Sequence, residues 1–366
     1  MMLYERYARV RERIPISHIK RHWLTVSFFL GFLIDNLTLN RVDQVFDNLV
    51  LAWYVILAGG SLIVLYASHA DKVREDWQPL LMKWSPMVLQ FSFGGLLSGI
   101  LIFYGRSGSW LSSWPFLLVI LTVIVGNELL KRRAQRLIFN IVILFIAFFS
   151  YVELIVPVVV GSMGAWLFVF SGVLALIGMY GYVRLLARVV PQFIFNNTRP
   201  LVFSLGVTFF VLNFLYFANI IPPIPLSLKD MGIYHNVEKL DNGYRLTYEK
   251  GRWWEPFKDS DTTYHYQSGD TVFCFSSVFA PTRLSTTIYH RWEYYDEENR
   301  EWRTHDRLSY PIEGGRDGGF RGFTSIRTVQ DGIWRCSVET ERKQILGREK
   351  FEIETAPHGE LVTELD

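Results

Sequence analysis

Apolar residues form seven long runs over the first 221 positions of the chain. An α-helix rises 1.5 Å per residue, so about 20 apolar residues cross the ~30 Å hydrocarbon layer of a bilayer. The pattern therefore predicts an α-helical membrane bundle of about seven transmembrane helices. The predicted spans are Trp23–Leu39, Leu49–Tyr66, Pro86–Tyr104, Leu111–Leu130, Leu137–Val159, Ala165–Leu186 and Leu201–Ile221.

Beyond the prolines that follow Ile221, apolar and polar residues alternate in short runs separated by turn residues. A period of two is typical of strands with one buried face. Seven such runs predict an all-β sandwich of the immunoglobulin or fibronectin type. The predicted strands are Tyr244–Glu249, Thr271–Phe279, Thr286–Tyr295, Trp302–Tyr310, Phe320–Thr328, Gly332–Glu339 and Gln344–Glu354.

These patterns divide the chain into five parts. They are a basic N-terminal arm (1–22), a transmembrane helical domain (23–221), a proline-containing membrane-proximal linker (222–242), a β-sandwich domain (243–356) and a tail (357–366).

The loops between the apolar runs alternate in basic content. From the N-terminal arm onward, their counts of Lys and Arg are six, one, three, one, four, none and three. Cytoplasmic loops carry the excess of basic residues, so the N-terminus is predicted inside the cell and the β-sandwich outside it. The arm lacks a small-residue cleavage site, and the first run is predicted to be an uncleaved signal anchor. The expected location is the inner membrane, with multiple passes.

Composition separates the two halves further. Half of the residues are hydrophobic and a fifth are charged, which argues against an ordinary soluble enzyme. Through Pro225 there are 18 Lys and Arg against 10 Asp and Glu, whereas the rest has 19 against 25. The acidic second half argues against nucleic acid, whose phosphates require a concentrated basic surface.

Carboxylates inside predicted spans are candidates for function, because a charge at bilayer depth costs roughly 2.5–3.5 kcal/mol. Asp35 and Glu153 both lie toward the outer ends of their spans, and they could line one outward-facing cavity. The alternative is that each ends its span at the interface or caps a helix, and this alternative is preferred. Glu128, one turn from a basic cluster, is expected to snorkel to the interface or to pair with Lys131 or Arg132.

The two cysteines, Cys274 and Cys336, lie on separate predicted strands in a compartment where oxidation is allowed. However, Cys274 alternates with the aromatic residues of the same predicted strand, and these aromatic residues are expected to face the core. The side chain of Cys274 is therefore predicted to point away from the core. The pattern therefore favours free cysteines over a disulfide. His290 shares a predicted core face with Trp292. A hydrogen-bonded core histidine is favoured over a metal ligand, because no partner ligand lies at a matching offset.

Two surfaces of the outer domain are candidate ligand sites. The glycine-rich segment 313–322 contains Arg316 and Arg321, which could form an anion-binding nest; a hairpin connection with positive φ angles is the preferred alternative. Trp253 and Trp254, with nearby tyrosines including Tyr264, could stack on a sugar or dock on the membrane interface. Small residues such as the GxxxG pair in the third span also make an oligomer possible.

Several segments resemble a known family. The segments are IPPIPLSLKDMGIYHNVEK, SSVFAPTRL, IYHRWEYYD, GGRDGGFRGFTS and GIWRCSVETERKQILGREKFEI, with GFLIDNLTLNRVD as a looser match. They are similar to bacterial multispanning membrane proteins that end in a domain of unknown function, the 2914 class. The resemblance covers roughly residues 221–355. It implies a bacterial cell-envelope protein and supplies no catalytic residue.

Motifs for catalysis are missing from the sequence: it contains no HExxH, GxSxG, Walker A, paired CxxC or dinucleotide fingerprint. The favoured hypothesis is an interaction or assembly protein, rather than an enzyme, whose outer domain binds an envelope protein or a glycan. The alternatives are a transporter or channel that uses Asp35 and Glu153, and a membrane-embedded enzyme acting on a lipid-linked substrate. No cofactor or metal is expected. The lipid bilayer is an expected partner of the helices.

Overall fold

The computed structural model describes residues 23–39, 44–107, 114–118, 120–122, 137–223, 225–241, 243–251, 259–316 and 318–366. Within them the chain divides into two compact units. One contains the described residues of 23–102, 117–155 and 168–214 and is helical. The other contains those of 103–116, 156–167 and 215–366 and is dominated by β-strands.

Six helices have defined bounds. They are α1 (Trp23–Thr38), α2 (Val45–His69), α3 (Gln78–Arg106), α4 (Leu137–Val160), α5 (Ala165–Val189) and α6 (Pro191–Phe217). The last five are long and apolar enough to cross a membrane, and within α1 the apolar segment is the shorter Val26–Leu37. Most of the predicted fourth span lies outside the described residues, although residues 114–118 and 120–122 are helical.

Several helices begin earlier than the apolar runs predict. Helix α6 begins at Pro191, ten residues before the predicted start, because proline fits the first helical position, where no backbone N–H is needed. Helix α2 begins at Val45 and has Asp47 in its first turn, where an acidic side chain is favourable. Asp47 is buried, and the predicted span, which began at Leu49, excluded it.

Glycines bring α3 close to its neighbours inside the helical unit. A Cβ on Gly94 would collide with the backbone carbonyl of Phe28 in α1, and a Cβ on Gly31 would collide with that of Phe91 in α3. A Cβ on Gly95, the first residue of the GxxxG pair, would lie 2.5 Å from the Tyr54 ring of α2. These glycines therefore serve packing within the chain, as small residues do in membrane bundles.

The Gly94→Ala substitution is expected to destabilise the helical unit by about 1–3 kcal/mol, because the methyl group must displace the backbone of α1. Gly60→Ala in α2 is the matched control, since no atom lies within 4 Å of a Cβ at that position. Thermal unfolding in detergent should show a lower midpoint for Gly94→Ala and an unchanged or higher one for Gly60→Ala. Equal midpoints would contradict the close approach of α1 and α3.

The described residues of the β-rich unit form eleven strands. They are β1 (Ser227–Tyr234), β2 (Asn236–Leu240), β3 (Gly243–Glu249), β4 (Thr263–Tyr266), β5 (Val272–Phe279), β6 (Ser285–Asp296), β7 (Glu301–Glu313), β8 (Phe320–Ile326), β9 (Gly332–Thr340), β10 (Ile345–Thr355) and β11 (Leu361–Leu365). They form three sheets with the orders β4-β10-β9-β6-β7, β1-β5-β8 and β11-β3-β2. Only β4 and β10 pair in parallel among the pairs described.

Two apolar clusters lie between the five-stranded sheet and the β1-β5-β8 sheet. The larger contains Trp292, Trp334 and Phe351 from the former, and Cys274 and Ile326 from the latter. The second cluster is built in the same way around other side chains. A third cluster packs the other face of the β1-β5-β8 sheet on the β11-β3-β2 sheet. The middle sheet is therefore covered on both faces.

The seven predicted strands correspond to β3 and β5–β10. Four further strands were not expected: β1 and β2 lie in the segment interpreted as a linker, β11 lies in the tail, and β4 is four residues long. β1 pairs with β5, and β11 pairs with β3. The segment containing β1 and β2 has few apolar residues in strict alternation, so only its pairing partners reveal it as strand.

Candidate functional site

The outward face of the five-stranded sheet has four arginines on four neighbouring strands. We call it the arginine face and define it by Arg307 (β7), Arg291 (β6), Arg335 (β9) and Arg348 (β10). Alternation directs these side chains away from the core, because Trp292 and Trp334 point inward beside them.

Strand register aligns this face in rows. Arg307 pairs with Arg291, Arg291 with Ser337, and Ser337 with Arg348, so these four positions form one row across the sheet. Arg335 lies two positions before Ser337 on β9 and therefore shares its face. Because neighbouring strands are about 4.8 Å apart, the row is about 14 Å long.

Two buried glutamates hold the arginines in place. Glu339 is fully buried and lies 2.7 Å from Arg307 Nε and 3.1 Å from Arg291 Nε. Glu293, 3% exposed, lies 2.7 Å from Arg335 Nε and 3.4 Å from Arg291 Nη1. The contacts of Arg307 and Arg335 are charge-assisted hydrogen bonds, which fix a guanidinium more firmly than a neutral hydrogen bond does, whereas those of Arg291 are ion pairs.

Aromatic rings and a hydroxyl group complete the support. The guanidinium of Arg335 lies 4.0 Å from the ring centre of Trp302, and that of Arg307 lies 3.8 Å from the ring of Tyr289. Arg348 Nε donates to the Ser337 hydroxyl at 2.9 Å. Burial, and then the positive charge of Arg335, lower the pKa of the Arg348 guanidinium. The arrangement is a rigid set of hydrogen-bond donors with a surplus of positive charge.

A chain of polar groups crosses the core beneath this face. His290 is fully buried and lies 2.9 Å from Ser276 Oγ and 3.0 Å from Thr324 Oγ1. Trp292 Nε1 donates to the same Thr324 hydroxyl, and Tyr310 lies 2.6 Å from Ser276 Oγ. The prediction of a buried, hydrogen-bonded His290 is therefore confirmed.

Cys274 and Cys336 form a disulfide in the structure. The prediction that Cys274 points away from the core was wrong. Cys274 faces the large cluster, and its aromatic neighbour Phe275 faces the third cluster, since both faces of β5 are covered. Both sulfurs and a nitrogen of His290 lie within 4.8 Å of one another, a proximity that sequence offsets did not reveal.

A second group of titratable residues lies between β1, β3 and β4. His235 Nε2 lies 3.4 Å from Glu249 Oε1 and 3.6 Å from Asp261 Oδ2, and all three side chains are buried. His265 Nδ1 lies 2.7 Å from the other oxygen of Glu249. The His235 ring stacks on Tyr264 with centres 4.0 Å apart. Tyr264 is fully buried, so the expectation that it is an exposed aromatic was wrong.

Acid is expected to destabilise the β-rich unit before carboxylates titrate. Burial lowers the pKa of His290 from 6.5 to about 3. For His235, burial is the larger cause and electrostatic repulsion from His358 the smaller one, and together they lower the pKa to about 4. Between pH 6.5 and these values the unfolded chain binds more protons, so stability falls as the pH falls. The slope is up to about 1.4 kcal/mol per pH unit for each histidine.

Unfolding midpoints measured from pH 7 to pH 5 check this expectation, with His290→Gln as the variant that removes one titrating group. The variant should show a shallower slope than the wild type over the same range. A midpoint that does not change between pH 7 and pH 5 would contradict the buried neutral state of both histidines.

The remaining sequence candidates have different surroundings. Arg321 Nε lies 2.6 Å from Asp366 Oδ2, and the Arg316 guanidinium lies 5.0 Å from the centre of the Phe320 ring. Gly315 and Gly319 have φ angles of 96° and 89°. These contacts favour the hairpin interpretation of the segment over an anion nest.

Of the acids in the predicted spans, Asp35 is fully buried and accepts a 2.9 Å hydrogen bond from the Tyr54 hydroxyl. Glu153 is also buried, in α4, and a cavity shared by the two acids stays a prediction. Trp253 and Trp254 lie outside the described residues, as does Glu128.

Comparison with known proteins gives one family match. The model of a family described as a protein of unknown function, DUF2914, matches residues 285–353, from the start of β6 into β10. A DUF2914 domain therefore lies in the β-rich unit. All four arginines of the arginine face and both of its glutamates are inside the matched segment, although sequence reasoning singled out none of them.

No curated protein matches the chain. Among solved structures, a β-glucosidase from Kluyveromyces marxianus is similar to this chain at 10% identity and a TM-score of 0.17. The matched region covers 36% of this chain and only 15% of the β-glucosidase. The Pseudomonas fluorescens alkylpurine DNA glycosylase AlkC, bound to DNA with an abasic-site analogue, is 8% identical with a TM-score of 0.19, covering 87% of this chain and 100% of that one. Neither likeness bears on fold or function.

Proposed function

We propose that this chain is a multi-pass protein of the bacterial inner membrane whose β-rich unit lies outside the cytoplasm and binds an envelope partner, a protein or a glycan. In this proposal the helices anchor the protein, the β-rich unit is an immunoglobulin-like interaction domain, and the N-terminus is cytoplasmic. The observation that carries the proposal is the arginine face, a rigid, positively charged sheet surface in an otherwise acidic half of the chain.

The helical unit supports membrane residence. Its long helices leave large apolar side chains exposed, among them Phe195, Phe203 and Phe210 of α6, whose exposed fractions are 81%, 73% and 72%. Contiguous apolar surface of this kind requires an apolar solvent or a partner. Loop charge supports the orientation, and the Cys274–Cys336 disulfide supports an oxidising compartment for the β-rich unit.

Photocrosslinking in intact membranes tests the binding role. A crosslinking amino acid is placed at Thr304 or Ser309, both exposed on the arginine face, and at the exposed Lys239 of β2 as control. The face positions should capture one specific partner, and the control position should not. Identical products at all three positions, or none from the face, would overturn the binding role.

Orientation has a separate test. Single cysteines placed in the loop between α2 and α3 and in the loop between α4 and α5 are probed on intact cells with a membrane-impermeant thiol reagent. Labelling of the second loop alone is the expected result. Labelling of the first loop alone would reverse the orientation.

Ion or proton transport is a second candidate function, favoured by one observation. Among the described residues, Asp35 Oδ2 has no hydrogen-bond partner although the side chain is fully buried. Acids buried at bilayer depth often mark ion pathways. Asp35→Asn should abolish transport in reconstituted vesicles while leaving the fold intact; a fully active variant would dismiss this role for Asp35.

A further inference from the structure

Three arginines of the arginine face lie on three neighbouring strands, β6, β9 and β10. Arg291 and Arg348 flank Ser337 from the two neighbouring strands, and Arg335 lies on the same face of the same strand as Ser337. The backbones of Arg291 and Arg348 are therefore about 10 Å apart. Arginine side chains are long enough to reach the space between them.

Two of the guanidiniums are held by hydrogen bonds from Nε: Arg335 donates to Glu293, and Arg348 donates to the Ser337 hydroxyl. Arg291 is held by ion pairs with the buried Glu293 and Glu339. Among the described residues, no protein acceptor contacts the terminal nitrogens of Arg335 or Arg348 within hydrogen-bond distance. These N–H groups are free donors on side chains whose rotamers are already fixed, so a ligand needs to order little when it binds.

The charge of this set favours an anion. The two glutamates are buried beneath the arginines, whereas Lys350, next to Arg335 in register, is exposed. A solvent-borne ligand therefore meets the positive groups first. Arg335 also stacks on Trp302, which restricts the guanidinium to one plane.

We propose that Arg291, Arg335 and Arg348 bind a phosphate group. A carboxylate has two oxygens and satisfies one guanidinium fork, whereas a tetrahedral phosphate presents oxygens to several forks at once. The inference rests on the binding role proposed above and names the chemistry of the ligand. The phosphate belongs either to a soluble or polymeric envelope component or to a lipid headgroup.

Titration of the full-length protein in detergent micelles with glycerol phosphate tests the site by calorimetry. Arg348→Gln is the main variant, because Arg348 contacts no buried carboxylate and its loss leaves none unpaired. Arg245→Gln is the matched control, since Arg245 lies in the β11-β3-β2 sheet and pairs with the exposed Glu238. Removing one charged fork should weaken binding about tenfold in Arg348→Gln, and the control should bind like the wild type.

Arg348→Lys keeps the positive charge but removes the guanidinium fork, so this variant should also bind more weakly. It replaces Arg348→Gln in the titration if Arg348→Gln does not fold. Acetate at the same concentration should not compete. A parallel arm uses vesicles with and without phosphatidic acid. Binding in either arm that is lost in the Arg348 variants supports the site and identifies the source of the phosphate.

Absence of binding in both arms, equal binding by all variants, or equal competition by acetate would overturn the phosphate site. These outcomes are distinct from a failure of the binding role, which the crosslinking products report independently of phosphate.

Discussion

Replacing both Cys274 and Cys336 by alanine is expected to lower the free energy of unfolding of the β-rich unit by about 4 kcal/mol. The disulfide joins residues 62 positions apart, and a crosslink over such a loop restricts the unfolded chain strongly. Both side chains are also fully buried in the cluster that contains Trp292 and Trp334, so the loss of two sulfur atoms leaves poorly filled space. Denaturant unfolding of the full-length protein, followed by tryptophan fluorescence, measures the change.

The single substitutions Cys274→Ala and Cys336→Ala are the controls. Either one removes the bond, so each should lose nearly as much stability as the double variant, and the losses should not add. Wild-type stability in the double variant would contradict the disulfide. So would alkylation of both thiols in denatured protein before any reductant is added.

The cysteine pair shows what strand periodicity can and cannot predict. Alternation correctly separates Cys274 from Phe273 and Phe275, but it does not say which face meets the core. In a sandwich with a single core, the aromatic face of the strand is expected to be the inner one. The β11-β3-β2 sheet provides a second apolar layer for Phe275, and its edge strands β2 and β11 came from segments read as linker and tail.

For the arginine face, the sequence predicts the direction in which the side chains point but not which strands are neighbours. The inward prediction for His290 and Trp292 already places Arg291 and Glu293 outward, and the same holds for Arg335 beside Trp334. The sequence pattern does not predict the register between strands that are distant along the chain. Only the pairing of β6 with β9 brings Arg335 to Glu293.

Helix existence was the most predictable property of the chain, and helix bounds were less so. Long apolar runs predicted the five long helices, because an apolar run of this length is typical of a helix long enough to cross a bilayer. Their starts depend on polar turns such as the one that holds Asp47, which hydropathy excludes. The close approach of α1 to α3 at Gly94 depends on which helices are neighbours, and the sequence pattern does not predict helix neighbours.

Glu339→Ala is expected to destabilise the β-rich unit by about 3 kcal/mol, the second large effect. Its carboxylate is fully buried and pairs with both Arg291 and Arg307, so its loss leaves two partly buried cations without their counter-ion. Glu238→Ala is the matched control. Glu238 pairs with Arg245 at 2.9 Å, but both are about half exposed, and an exposed pair contributes only about 0–1 kcal/mol.

A double-mutant cycle separates the pair from the burial of its members. Glu339→Ala, Arg307→Ala and the combined variant should give a coupling energy above about 1 kcal/mol, because the second substitution removes a charge that the first left unpaired. The Glu238 and Arg245 cycle should give about 0.5 kcal/mol or less. A coupling for Glu339 no larger than that of the exposed pair would contradict a desolvated Glu339–Arg307 pair on the arginine face.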